Sequence, residues 1–315
     1  MSFGTIATNQ IAMLSDLREF SAVFPWFFPV WVAVLGACIG SFLNVVIYRV
    51  PAEKSVVRPG SHCACGQPIK WYDNIPVLSW LILRGRARCC GRSFSFRYPF
   101  IELLTAGLFL ACWLRFTPGV AVSGWIFLSA LLCATFIDLD HMIIPDVFTL
   151  GLGVIGIVLS VGIPELHEQQ SGLYVVDCLR SGAISLQGLL IGSGFLLWFA
   201  LLAEVVLKKE AMGFGDVKFI GAIGAFCGWE GAIFSIFGGA IVGLVWFSIA
   251  WTWQKISGKS SPVAPRAETP EGQPAELGLG VHIPFGPMLA IAGAIYFVWA
   301  RPLVAAWTAE LTALF

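Results

Sequence analysis

The chain is poor in charge. Of its 315 residues only 12% are Asp, Glu, Lys or Arg, against 57% hydrophobic, and the formal charges cancel. So little polar surface does not suit a soluble domain around one core, and a net charge of zero gives no electrostatic basis for a nucleic-acid partner. Several catalytic signatures are missing too. There is no G-x-S-x-G elbow and no H-E-x-x-H zinc motif, and the only histidines are His62, His141, His167 and His282. No repeat of solenoid type occurs. Residues 1–24 lack a basic start and the first apolar run is long enough to stay in a bilayer, so no cleavable signal peptide is expected.

What the chain does have is apolar length. Stretches suited to crossing a bilayer lie at 25–47, 98–115, 120–138, 146–163, 183–207, 217–236, 237–253 and 284–307. Since about 20 helical residues span the hydrocarbon, the expected fold is an all-α polytopic membrane protein of about eight transmembrane helices, with a cytoplasmic loop domain between the first two. The stretch 217–253 is divided only by the glycine-rich FCGWEG and FGGA segments. Five regions are expected: an N-terminal tail and first span (1–48), a cysteine-containing loop domain (49–97), a membrane core (98–253), a flexible linker (254–283), and a last span with its tail (284–315). Residues 164–182 are comparatively polar and read as an external loop. Residues 258–279 are rich in Pro, Ser, Glu and Ala and read as disordered.

The basic residues give the orientation. Arg49, Lys54, Arg58, Lys70, Arg84, Arg86, Arg88, Arg92 and Arg97, nine of 19, fall in the first long loop against only Glu53 and Asp73. By the positive-inside rule that loop is cytoplasmic. Alternation then places Lys208, Lys209, Lys218, Lys255, Lys259 and Arg266 inside, leaving Arg18, Arg115, Arg180 and Arg301 elsewhere. The same alternation puts Asp138, in ATFIDLDHMIIPD, and Asp216, in AMGFGDVKF, on the cytoplasmic side together. A carboxyl at the end of a span is costly there and marks a functional site by default.

Asp138 follows the apolar run CATFI directly. Asp140, His141 and Asp146 read as interfacial residues and a helix-start charge, with Pro145 opening the next helix where a missing N–H costs little. Asp216 lies in G-F-G-D, where Gly213 and Gly215 allow close backbone approach. Two carboxyls within a few ångströms of each other share one proton. The charged member can take a proton from water while the neutral one hydrogen-bonds a scissile carbonyl, which is peptide hydrolysis by general acid–base catalysis.

These segments resemble the type IV prepilin peptidases, within the G-x-G-D class of membrane aspartyl proteases. The resemblance is carried by GSFLNVVIYRVP (40–51), the loop from SHCACGQPIKWYDNIPVLSWLILRGRARCCG to RYPFIE (61–102), FIDLDHMIIPD (136–146), MGFGDVK (212–218) and HIPFGPMLAIAG (282–293). It implies that Asp138 and Asp216 are the catalytic pair. It also implies cleavage of the basic leader of prepilins or pseudopilins after a Gly at the cytoplasmic face of the bacterial inner membrane, and methylation of the new N-terminal amine by S-adenosylmethionine. Since the enzyme's first loop is itself basic, Asp140, Asp146 or Glu204 are the residues expected to meet the leader.

The cysteines depart from the family pattern of two C-x-x-C pairs, which is a tetrathiolate zinc signal. Here the pairs are Cys63-Ala64-Cys65 and Cys89-Cys90, with Ala87 where the second pair's first cysteine would stand. Either His62 or a distorted geometry completes a site on Cys63, Cys65, Cys89 and Cys90, or the metal is lost; the sequence leaves both open. A disulfide is not expected in a loop facing the reducing cytoplasm. Cys38, Cys112, Cys133 and Cys227 lie in or at the ends of apolar spans and pack as small hydrophobes, Cys178 has no assigned role, and Trp71, Tyr72 and Trp80 read as interfacial anchors or as residues folding the loop over the methyl donor. No S-adenosylmethionine-binding residues can be named. Two alternatives stand beside this reading: a G-x-G-D protease without methyltransferase activity, and an ion-coupled transporter using the aspartates as ion ligands. The transporter would need inverted repeats and mid-membrane broken helices, and the hydropathy shows no symmetric halves. Oligomeric state is not legible.

Overall fold

In bilayer surroundings every backbone polar group must be satisfied within its own segment, so long apolar runs fold as helices. The structure, a computed structural model, describes residues 19–208, 212–257 and 284–312. Its main helices are α1 (Phe27–Arg49), α2 (Leu78–Ile82), α3 (Arg97–Arg115), α4 (Pro118–His141), α5 (Leu150–Gly162), α6 (Tyr174–Leu207), α7 (Phe214–Ser257), α8 (Gly286–Ile295) and α9 (Arg301–Thr312). Among the described residues there is no strand, only two isolated bridges, His62 with Pro68 and Arg86 with Ser93. The chain is an all-α, multi-pass membrane protein. Most of the expected linker, residues 258–283 with His282, lies outside the described residues, as do 1–18 of the tail.

Six helical stretches are long and apolar enough to cross a membrane, the last running from Gly286 to Glu310, and a shorter apolar one covers Asp146–Gly162. The expected count of eight is not reached on that measure among the described residues, because 214–253 counts as one and 146–162 falls short of a full span. Yet α7 is not straight. Gly228 sits at φ 71°, ψ 179°, a conformation that is essentially glycine's alone. A Cβ on Gly192 would lie 3.1 Å from the Ile220 carbonyl oxygen and 2.9 Å from the Ala232 Cβ. Twelve residues of straight helix would separate those two contacts by about 18 Å, so α7 doubles back at Gly228. The division expected at 236/237 therefore falls earlier, at the one glycine that can make the bend.

Two more boundaries differ from expectation. Residues 174–182 belong to α6 rather than to an external loop, since Asp177 accepts hydrogen bonds from the Ser171 N–H and hydroxyl and so secures the helix start. Pro145 precedes a 3-10 turn at Asp146–Phe148, and α5 begins only at Leu150, past the non-helical Thr149.

The chain divides into two compact units: Met1–Phe42 with Pro59–Ala121, and Leu43–Arg58 with Val122–Phe315. In the first, α1 packs on α3 so closely that a Cβ on Gly36 would come within 2.7 Å of the Ala106 Cα, and one on Gly40 within 2.7 Å of the Glu102 Cα. Glu102 is buried there and accepts the Val77 N–H at 2.7 Å, tying the loop to α3. In the second unit, α6 lies along α7 and α8 packs on α7. Lipid tails are as apolar as Leu, so close packing through small residues holds such helices together. Gly188 and Gly224 meet where neither has room for a Cβ. The core includes Phe127 stacked on Phe226 at 4.7 Å, with Phe297 at 5.3 Å. At the turn before Gly228 the Ala225 carbonyl accepts the Ser185 hydroxyl at 2.7 Å. Cys112, Cys133 and Cys227 are buried and Cys38 is exposed.

Candidate functional site

The second unit gathers two of the sequence-predicted carboxyls. Asp138 lies one turn from the C-terminal end of α4 and is 5% exposed. Asp216 is the third residue of α7, where its N–H bonds the Gly213 carbonyl at 3.1 Å. The two carboxyls lie close enough for the charge of Asp138 to act on Asp216. They come from helices well separated along the chain, Asp138 from the end of α4 and Asp216 from the start of α7.

A third segment completes the site. The Gly286 amide, at the first residue of α8, donates to the Asp138 carboxylate. Any side chain at this position would strike the carboxylate: a Cβ on Gly286 would lie 2.6 Å from Asp138 Oδ2 and 2.8 Å from Ile144 Cδ1. Ile144 also faces Gly215, where a Cβ would be 3.8 Å from its own. Gly286 and Ile144 were not singled out from the sequence. The signal available was the F-G-P step between linker and last span, with a proline beside the helix start.

Asp140 and Glu204 are exposed, whereas Asp146 is engaged: the Lys218 ammonium bonds its carboxylate, and the Thr149 hydroxyl donates to it at 3.3 Å.

The first unit holds the cysteines. Cys63 and Cys65 lie in one short hairpin, Cys89 and Cys90 in another, each turned by a left-handed glycine, Gly66 at φ 85° and Gly91 at φ 68°. Cys63 Sγ is 3.6 Å from Cys90 Sγ, Cys65 Sγ is 3.4 Å from Cys89 Sγ, and all four sulfurs fall within 4.8 Å of one another. A zinc–thiolate bond of about 2.3 Å in a tetrahedron requires sulfurs about 3.8 Å apart. The four sulfurs fit that ion, and the adjacent cysteines do so by pointing to different partners. His62 is turned away, its Nδ1 at 3.0 Å from the Gly60 carbonyl oxygen. The Cys65 amide, with help from Cys89 and Cys90, draws the Cys63 thiol down to about 7, while hydrogen bonds with Cys65 and Cys63 push Cys89 up to about 12. A thiolate therefore forms at Cys63 before Cys89. Trp80 helps fold the loop: its Nε1 donates to the Phe94 carbonyl at 3.4 Å and its ring covers Gly85. Trp71 is 80% exposed, and Arg88 closes a bidentate pair with Asp73.

Two carboxyls at helix ends in an all-helical membrane protein suit paired acid–base chemistry, and comparison with known proteins narrows this. The family model "Bacterial Peptidase A24 N-terminal domain" matches residues 34–116, and "Type IV leader peptidase family" matches 125–248. A protein of Pectobacterium carotovorum named prepilin leader peptidase/N-methyltransferase is 36% identical over 308 residues, 89% of this chain and 96% of that one. One of the same name from Xanthomonas campestris is 35% identical over 299 residues, covering 86% and 91%. A third, from Myxococcus xanthus, is 40% identical over 227 residues, 69% of this chain, and the match spans only 63% of that longer protein. The chain belongs to the type IV leader peptidase family. No solved structure matches it.

Proposed function

We propose that this protein removes the basic leader peptide from type IV prepilins or pseudopilins at the cytoplasmic face of the inner membrane and then methylates the new N-terminal amine. The observation that carries the peptidase is the meeting of Asp138 and Asp216 beside Gly286. One carboxylate takes a proton from a water held between the two. The oxygen attacks the scissile carbonyl while the protonated partner donates to the carbonyl oxygen, and the departing amine then receives a proton from the dyad. The Gly286 N–H fixes the orientation of Asp138 throughout. A substrate helix must unwind to enter, and the glycines at 213, 215 and 286 leave room for an extended backbone beside the carboxyls.

Orientation rests on the basic first loop. Asp140 and Glu204, both exposed, are assigned to meet the leader. For the methyl step, S-adenosylmethionine would supply the methyl group, and the loop domain is assigned to it by family likeness. The domain division expected from the sequence follows this: 49–97 for methyl transfer, 98–253 for cleavage, with 284–315 lending Gly286 to the peptidase. Cys63, Cys65, Cys89 and Cys90 would hold zinc as a structural ion of that loop.

The test incubates purified protein with a prepilin in detergent, with and without S-adenosylmethionine. Asp138→Ala and Asp216→Ala should each abolish cleavage, and wild-type product should gain the mass of one methyl. Full cleavage by either variant removes the dyad. Cleavage without methylation leaves the alternative, a protease only.

A further inference from the structure

Between the two aspartates' helices runs a short strap. α4 ends at His141, Met142 turns the chain with φ 57°, and residues 143–149 lead to α5. Ile144 of this strap is the side chain that meets both glycines at the site, Gly215 beside Asp216 and Gly286 bonded to Asp138. Where the strap lies therefore affects both carboxyls. Its position is set by Asp146, whose carboxylate is bonded by Lys218, two residues beyond Asp216 on α7. The Thr149 hydroxyl holds the same oxygen at 3.3 Å, and the Phe214 ring lies 5.7 Å from the ammonium.

We propose that Lys218 and Asp146 are a positioning pair that holds the strap and the α7 start in register and so sets the separation of the two catalytic carboxyls. The inference rests on the reading of Asp138 and Asp216 as those carboxyls. Two features separate this role from plain stabilisation. The Asp146 side chain is 64% exposed and that of Lys218 24%, and an ion pair so open to solvent contributes little to folding. The ammonium also stands near the N-terminal end of α7, where the helix dipole favours anions rather than cations. Its placement makes sense by the geometry it enforces: it joins the segment that follows one aspartate to the segment that carries the other.

The test measures prepilin cleavage by the full-length protein in detergent, resolving kcat from KM, beside the thermal inactivation midpoint. Displacing a catalytic group by about 1 Å costs about 10²-fold, so Lys218→Met and Asp146→Asn should each lower kcat by about 10- to 100-fold. KM should stay within about threefold and the inactivation midpoint should be unmoved. Lys218→Arg should keep most of the activity, and the exchange Lys218→Asp with Asp146→Lys should cleave faster than either single change by about tenfold. Single variants within about threefold of wild type overturn the proposal. So does a loss of kcat that follows the inactivation midpoint, or a Lys218→Arg variant and an exchange both as slow as Lys218→Met. Asp138→Asn in the same assay separates the two readings: if it cleaves normally the dyad itself fails, and if it is inactive while the pair variants are normal, only the pair fails.

Discussion

Gly286→Ala isolates the geometry of the site more sharply than removal of either aspartate. The added Cβ would stand 2.6 Å from Asp138 Oδ2, 3.3 Å from its Cγ and 2.8 Å from Ile144 Cδ1. Ordinary carbon–oxygen contact begins near about 3.3 Å, so the carboxylate must retreat by about 0.7 Å. Retreat also stretches the bond from the Gly286 N–H, and a hydrogen bond to a charged group is worth about 1.5–3 kcal/mol. Loss of that order in the transition state, about 2.7 kcal/mol, is about 10²-fold in rate, the same as expected for a group misplaced by about 1 Å. The backbone itself admits alanine, since Gly286 is not among the residues of positive φ, but the same Cβ crowds Ile144 in a buried site and costs some stability. The expected result is a fall in kcat/KM of about 10²-fold, measured below the thermal inactivation midpoint of the variant so that loss of folded protein does not account for it. Gly194→Ala, which meets nothing within 4 Å, is the neutral control. Cleavage by Gly286→Ala within about threefold of wild type would refute the placement of Gly286 against Asp138.

Other outcomes follow from the packing. Gly188→Ala or Gly224→Ala should destabilise by about 1–3 kcal/mol or more through overpacking at the α6–α7 crossing, read as a lower inactivation temperature in detergent. Gly228→Ala should be comparably damaging, since its backbone conformation admits no Cβ at low cost. His167 is buried against the Ser160 hydroxyl at 3.1 Å, and burial, aided by the nearby Arg301, pushes its imidazole from 6.5 down to about 3. A histidine depressed in the folded state is protonated first in the unfolded one, so its contribution is present in full above pH 6.5 and drains away as pH falls from 6.5 toward about 3. Wild-type stability should therefore drop between pH 6.5 and 5 more steeply than that of His167→Asn, in a series of inactivation measurements; parallel curves would count against it. Metal analysis should find one zinc per chain, with Cys65→Ser or chelation releasing it and impairing methylation while cleavage continues.

Much of this protein was legible in its residues. The apolar runs and the basic first loop determined an all-helical membrane protein, because bilayer burial admits helices of a set length and little else. Asp138 and Asp216 stood out because carboxyls are costly in such surroundings. The course of the chain between them was harder to read. Where 214–257 turns back depends on a backbone conformation at Gly228, and FCGWEG and FGGA offer competing glycines with no local signal to choose between them. The start of α6 depends on a cap from Ser171 to Asp177 within a stretch polar enough to pass for a loop. The cysteines were doubtful on spacing alone, since spacing does not say that two hairpins turn Cys89 and Cys90 toward different partners.

What the sequence by itself determined is the class of the protein and which two carboxyls are the candidates for its chemistry, since both follow from the cost of placing each residue type in lipid or water. What only the tertiary structure decided is how those groups are held. Gly286, Ile144 and the Lys218–Asp146 pair act through contacts between segments remote along the chain, and no local propensity records such contacts.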